Sequence, residues 1–164
     1  MATLYDLQKL LNTAANEIPE DTLIVMEAEG LKFIEDNFEK QGFDTGSGTD
    51  KWKQRKTTDK RGRDNTRYRT NRVGKAGSLN KYGRRIKGRA ILVGHNTGGD
   101  KLKNSFDARR DAHSVTFYTY MPYAQRHNEG LKGMPERRFM GKSKELDDRI
   151  FKKLKTILDK HFKK

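Results

Sequence analysis

The chain has 164 residues, of which 35% are charged and 32% hydrophobic, with a formal net charge of +14. No run of about 20 apolar residues exists that would span a membrane, and the first twelve residues hold apolar side chains only at helical spacing, unlike a signal peptide. The absence of cysteine excludes a disulfide scaffold, a thiol nucleophile and a cysteine-ligated metal. Length and composition suit one domain, synthesised in the cytosol.

The charge is unevenly placed. Residues 1–50 carry three basic side chains against eleven acids, and residues 90–164 carry seventeen against nine. Between them, residues 51–89 hold sixteen Lys or Arg against Asp59 and Asp64, a local excess equal to that of the whole chain. Such asymmetry marks contact with a polyanion or with an acidic protein surface. A solvated arm is the other reading.

The N-terminal part reads as helical. Leu4, Leu7, Leu10, Leu11, Ala14 and Ile18 fall at three- and four-residue spacing. Pro19 is expected to break this helix and to begin a second one, over residues 20–41. Its buried stripe would be Ile24, Ala28, Leu31, Ile34 and Phe38, with Gly42 as the stop. Residues 42–48 are rich in Gly, Ser and Thr and read as a loop.

From Lys51 to Arg89 apolar residues are scarce. Only Trp52, Tyr68, Val73, Leu79, Tyr82 and Ile86 could anchor the segment, too few to offset its ordering entropy by burial. It reads as a loop, a hairpin or an arm that orders on a partner.

Ala90 to Val93 is a short apolar run that suits a buried strand or a turn. Val115 and Phe117 alternate with Thr116 and Tyr118, predicting a strand within residues 113–120 with residues 102–109 as its antiparallel partner. Pro122 ends the strand, and residues 123–128 predict a short helix closed by Gly130. A final helix over residues 143–162 would place Leu146, Ile150, Leu154, Ile157 and His161 on one face. Together these elements predict an α+β fold: N- and C-terminal helices on a small antiparallel sheet, interrupted by a long basic insertion. The chain divides into residues 1–50, 51–89 and 90–164 of a single domain.

Catalytic motifs are incomplete. Gly141-Lys142-Ser143 precedes a helix like the end of a phosphate-binding loop, but Glu136 stands where that loop needs a glycine. An N-cap serine after a turn glycine is the simpler reading. His95, His113, His127 and His161 include no pair at helical metal-binding spacing. Asp147 and Asp148 are adjacent, so on a helix they point about 100° apart and do not converge. No enzyme activity and no cofactor is expected. The basic segment offers better chemistry, since Lys51-Trp52-Lys53, Arg67-Tyr68-Arg69 and Lys81-Tyr82 interleave cations with rings. Cations neutralise phosphates, and rings stack on unpaired bases. The other reading is that Trp52 and Tyr82 pin the segment to the core.

Four short motifs occur in a telling order. Thr97-Gly98 with Leu102 and Ser105, then Tyr123-Ala124-x-x-His127-x-x-Gly130, then Pro135 to Phe139-x-Gly141-x-Ser143, follow Trp52 and a Gly-containing loop. This order, over about residues 20–160, resembles the phage virion-morphogenesis (tail-completion) family. The chain departs from that family's pattern at Gly99-Asp100, at Asn128-Glu129 and at Arg138, where the family prefers proline. The resemblance implies a structural protein of a tailed phage or prophage, acting in tail completion or head–tail joining within a neck ring. It would be assembled in the host cytoplasm and carried in the virion.

Implied partners are further copies of the chain, connector or head-completion proteins, and tail terminator or tube proteins. The DNA end is a further candidate partner, and no membrane is involved. Polyanion or partner contacts would come from Lys51, Lys53, Arg55, Arg61, Arg63, Arg67, Tyr68, Arg69, Arg84 and Arg85. Tyr123, His127, Arg137, Arg138 and Phe139 would serve an oligomer or partner interface, with Phe139 alternatively a core anchor. The alternative function is a basic nucleic-acid-binding protein, ribosome-associated or chromatin-like.

Overall fold

The computed structural model describes residues 4–53, 90–93 and 101–162. Helix α1 spans Leu4–Lys40 and contains Pro19. The expected break does not occur: two predicted helices are one. Proline removes a single backbone donor, and Pro19 itself is exposed. One residue before the proline, the Ile18 carbonyl accepts the Thr22 hydroxyl at 2.7 Å.

The buried face of α1 also differs from the expected stripe. Ile34 and Phe38 are buried, but Ile24 and Ala28 are exposed and Leu31 is half-buried. The buried face is Glu29, Gly30, Phe33, Ile34, Asn37 and Phe38. Hydropathy alone misses it because two of its members are polar and satisfied inside. Lys153 Nζ lies 2.5 Å from the Glu29 carboxylate, and Asn37 bonds on both sides as described below.

The residue that stops α1 is Gln41, at φ 51°, not the expected Gly42. Gly42 begins strand β1, Gly42–Asp44, which pairs antiparallel with β2, Thr49–Lys51. A Cβ on Gly42 would sit 2.6 Å from the Asp50 carbonyl oxygen, so the close strand pairing requires glycine there. The predicted loop is therefore a tight hairpin, closed by the Thr45 N–H on the Gly48 carbonyl at 2.9 Å.

Asp44 ends β1. The Lys40 ammonium donates to its carboxylate at 2.6 Å, and the Gly46 N–H donates at 3.0 Å. These two donors, Lys40 first, hold the Asp44 carboxyl below its ordinary 3.8. Its contribution is present above that ordinary value and is lost as the pH falls through the lower folded value. Asp44→Asn is expected to flatten the acid limb of stability against pH, measured by urea titration from neutral to acid conditions.

Strands β3, Phe106–Arg110, and β4, Val115–Thr119, form the second hairpin, with Phe106 opposite Thr119 and Ala108 opposite Phe117. The structure thus has two separate two-stranded sheets and an α+β architecture. A 3-10 turn, Leu102–Asn104, precedes β3. The Phe117 ring lies over Gly30, where a Cβ would meet ring atoms at 2.1–2.9 Å. The hairpin therefore sits flush against α1. Its far end is tied by Arg110 to Glu27 at 2.6 Å.

Helix α2, Ala124–Glu129, closes at Gly130 in the left-handed region, as the sequence predicts. Helix α3, Lys144–Phe162, runs antiparallel to α1, since Arg149 meets Asp36 at 2.6 Å while Lys153 meets Glu29. Leu146, Ile150, Leu154 and Ile157 are half-buried. Ser143 stands at the start of α3, but its hydroxyl does not cap the helix; it donates to the Asp44 carbonyl at 2.6 Å.

The core is aromatic. The Phe38 ring centre lies 5.2 Å from Trp52, 5.4 Å from Phe139 and 5.8 Å from Phe106. Ile34, Ile91, Leu102 and Ala124 complete the cluster.

Candidate functional site

The basic segment has a defined foot. Lys51 is exposed at the end of β2, and its ammonium donates to the Lys40 carbonyl at 2.7 Å. Trp52 is buried in the core, its N–H donates to the Gln41 carbonyl at 2.9 Å, and its indole N–H donates to the Arg138 carbonyl at 2.7 Å. That ring anchors the segment and is not available to stack on a base. Lys53 is exposed, and its carbonyl accepts Arg137 Nε at 3.1 Å. The remaining eight basic-segment candidates, Arg55, Arg61, Arg63, Arg67, Tyr68, Arg69, Arg84 and Arg85, lie outside the described residues.

The chain is described again at Ala90, beside the same foot. Ile91 is buried in a turn, with Leu92 at φ 63°. The Gln41 side chain holds it on both sides: the Ile91 N–H donates to Gln41 Oε1, and Gln41 Nε2 donates to the Ile91 carbonyl at 3.3 Å. One residue therefore holds Trp52 through its carbonyl and Ile91 through its amide. The segment between them leaves and returns at Gln41. Sequence reasoning missed this residue, because a glutamine before a glycine carries no motif.

The second group of candidates is placed as follows. Tyr123 is exposed and meets the half-buried His127 edge-on, ring centres 6.0 Å apart. The His127 carbonyl accepts the Arg137 N–H at 2.7 Å. Arg137 is buried and Phe139 is only 1% exposed, so both side chains act inside this chain. Arg138 lies over the Phe43 ring at 4.2 Å and donates to the Met140 and Lys142 carbonyls. A Cβ on Gly141, at φ 146°, would meet the Arg138 guanidinium at 2.3 Å. Arg138 thus shapes the turn into α3. Asn128 completes the turn, its Oδ1 accepting the Phe139 and Met140 N–H groups at 2.9 and 3.0 Å.

A cleft of about 200 Å³ opens at the foot, lined by Phe43, Asp50, Lys51, Trp52, Lys53, Glu136 and Arg138. Three cations border it against two acids. Among the described residues no three His, Asp or Glu side chains gather to hold a metal, and no helix is long and apolar enough to cross a membrane. No protein-family model, curated protein or solved structure matches the chain.

Proposed function

We propose that the chain is a structural protein of a tailed phage or prophage, acting in tail completion or head–tail joining as part of a neck ring. One observation carries the reading: several described residues of the resemblance bind the fold together around the foot of the basic segment. Trp52, Leu102, Ala124 and Phe139 share one core cluster, and Ser143 bonds the β1–β2 hairpin to the start of α3. A scaffold that fixes both ends of a cation-rich segment suits recognition of a large partner. The polyanion it meets is the DNA end at the neck or an acidic ring surface.

The test is genetic and visual. In a phage lacking the gene, heads and tails should accumulate unjoined, and restored chain carrying a label should appear at the head–tail junction in electron micrographs. Normally joined particles without the chain would sink the reading. The concentration of sixteen cations against two acids in one segment favours one alternative, a nucleic-acid-binding protein with no part in particles. Contact with six to ten phosphates would weaken binding about 10³- to 10⁵-fold between 50 and 200 mM salt. Changing Arg61, Arg63, Arg67 and Arg69 to Gln should reduce that slope. Joined particles that persist, with duplex binding intact in the isolated chain, would favour the alternative.

A further inference from the structure

Helix α3 is held differently from the rest of the fold. None of its described side chains is buried, and none belongs to the aromatic cluster, which closes without it. Its principal neighbour is α1, and Leu146, Ile150, Leu154 and Ile157 are only half-buried. Ion pairs supplement that packing. Arg149 and Lys153, one helical turn apart, reach Asp36 at 2.6 Å and Glu29 at 2.5 Å. On α1 the two carboxylates share a line with Phe33 between them, since positions 29, 33 and 36 follow the helical period. Phe33 is 1% exposed, and its ring meets Phe43 edge-on as a pair outside the aromatic cluster.

A contact of this kind is reversible for a physical reason. Docking leaves the Glu29 side chain 6% exposed and the Asp36 side chain 23% exposed, and the hydration they lose offsets much of the attraction to Lys153 and Arg149. Release returns those charges to water. Arg149 even keeps a partner on its own helix, since its Nε donates to Glu145 at 2.8 Å. Opening the aromatic cluster has no such compensation, because bare rings gain nothing from water.

The start of α3 is tied more firmly. Ser143 donates to the Asp44 carbonyl at 2.6 Å, and Arg138 donates to the Lys142 carbonyl at 3.2 Å. The β1–β2 turn abuts the first helical turn so closely that a Cβ on Gly46 would sit 2.9 Å from the Glu145 nitrogen. These ties make the N-terminal end of α3 a pivot.

We propose that α3 is a releasable strap: it lifts from α1 as one unit, pivoting at residues 143–145, while the aromatic core stays folded. Release bares Glu29, Phe33 and Asp36, an aromatic seam flanked by two carboxylates. The strap thus switches that seam between covered and open. The proposal concerns the isolated chain and does not depend on the head–tail reading above.

The test is native-state hydrogen exchange on the full chain, resolved by residue with NMR at low urea. Amides of residues 146–158 should share one opening, with a weaker urea dependence than amides of residues 33–40, because less surface is exposed. Ile34→Val, a mild change in the aromatic cluster, should speed exchange at residues 33–40 by roughly 2- to 12-fold. It should leave α3 at the parental rate, because the docked and released forms both keep the core. Lys153→Met strands the Glu29 carboxylate only while α3 is docked, so it should speed α3 exchange by roughly tenfold or more. Equal acceleration of α3 and residues 33–40 by Ile34→Val overturns the proposal, since α3 then opens only with the whole fold. Exchange graded inward from Phe162 with no shared opening overturns it in favour of simple fraying. An unchanged α3 rate in Lys153→Met overturns it as well.

Discussion

Phe38→Ala is expected to lower the unfolding free energy by about 3–5 kcal/mol, read as a fall in the urea midpoint with little change in slope. Phe38 is 2% exposed and stands at the centre of the aromatic cluster. Trp52, Phe106 and Phe139 each approach it to within 5.8 Å, two of them from segments that close the fold. Removing the ring leaves a cavity between three other rings that are themselves fixed by strand pairing and hydrogen bonds. Their collapse into the space is therefore limited, which places the cost towards the upper end. Ile24→Ala, on the exposed face of the same helix, should change stability by no more than about 0.5 kcal/mol. Equal losses at the two positions would show that α1 is turned the other way.

Asn37→Ala should cost roughly 2–5 kcal/mol, because it orphans a buried carbonyl and a part-buried N–H together. Asn37 is fully buried. Its amide nitrogen donates to the Phe139 carbonyl at 3.2 Å, and its amide oxygen accepts the Asp44 N–H at 3.0 Å. The residue thus joins the β1 strand, the turn before α3 and the helix between them. Asn37→Asp keeps the acceptor but aims a carboxylate at the Phe139 carbonyl. That variant should be unstable at neutral pH and recover as acid protonates it, since the neutral acid donates again and needs less hydration. If Asn37→Asp is as stable as the parent at neutral pH, the amide is not the bridge described.

The parts of the fold legible in the sequence were those where hydropathy follows the backbone period. The alternation of Val115 and Phe117, the stop at Gly130 and the span of α3 follow from that rule. It fails where polar residues are buried with partners. Glu29 and Asn37 occupy the inner face of α1, and Ile24 was expected in their place. Pro19 signalled a break because its chemistry forbids one hydrogen bond, but a single lost bond does not end a long helix. Ser143 was legible as a helix start but not as the bond to Asp44, which depends on a contact distant in sequence. Gln41 was illegible for the same reason. Its position at the base of the basic segment comes from folding, whereas the segment's charge is plain in the composition.

The hydrogen bonds that close the core join residues far apart along the chain. Asn37 and Phe139 are separated by 102 positions, Asp44 and Ser143 by 99, and Trp52 and Arg138 by 86. On the ribosome, therefore, Phe33, Phe38, Phe43 and Trp52 emerge long before the segment that covers them. A nascent chain carries those rings uncovered through most of its translation, a natural substrate for chaperones that bind apolar surface.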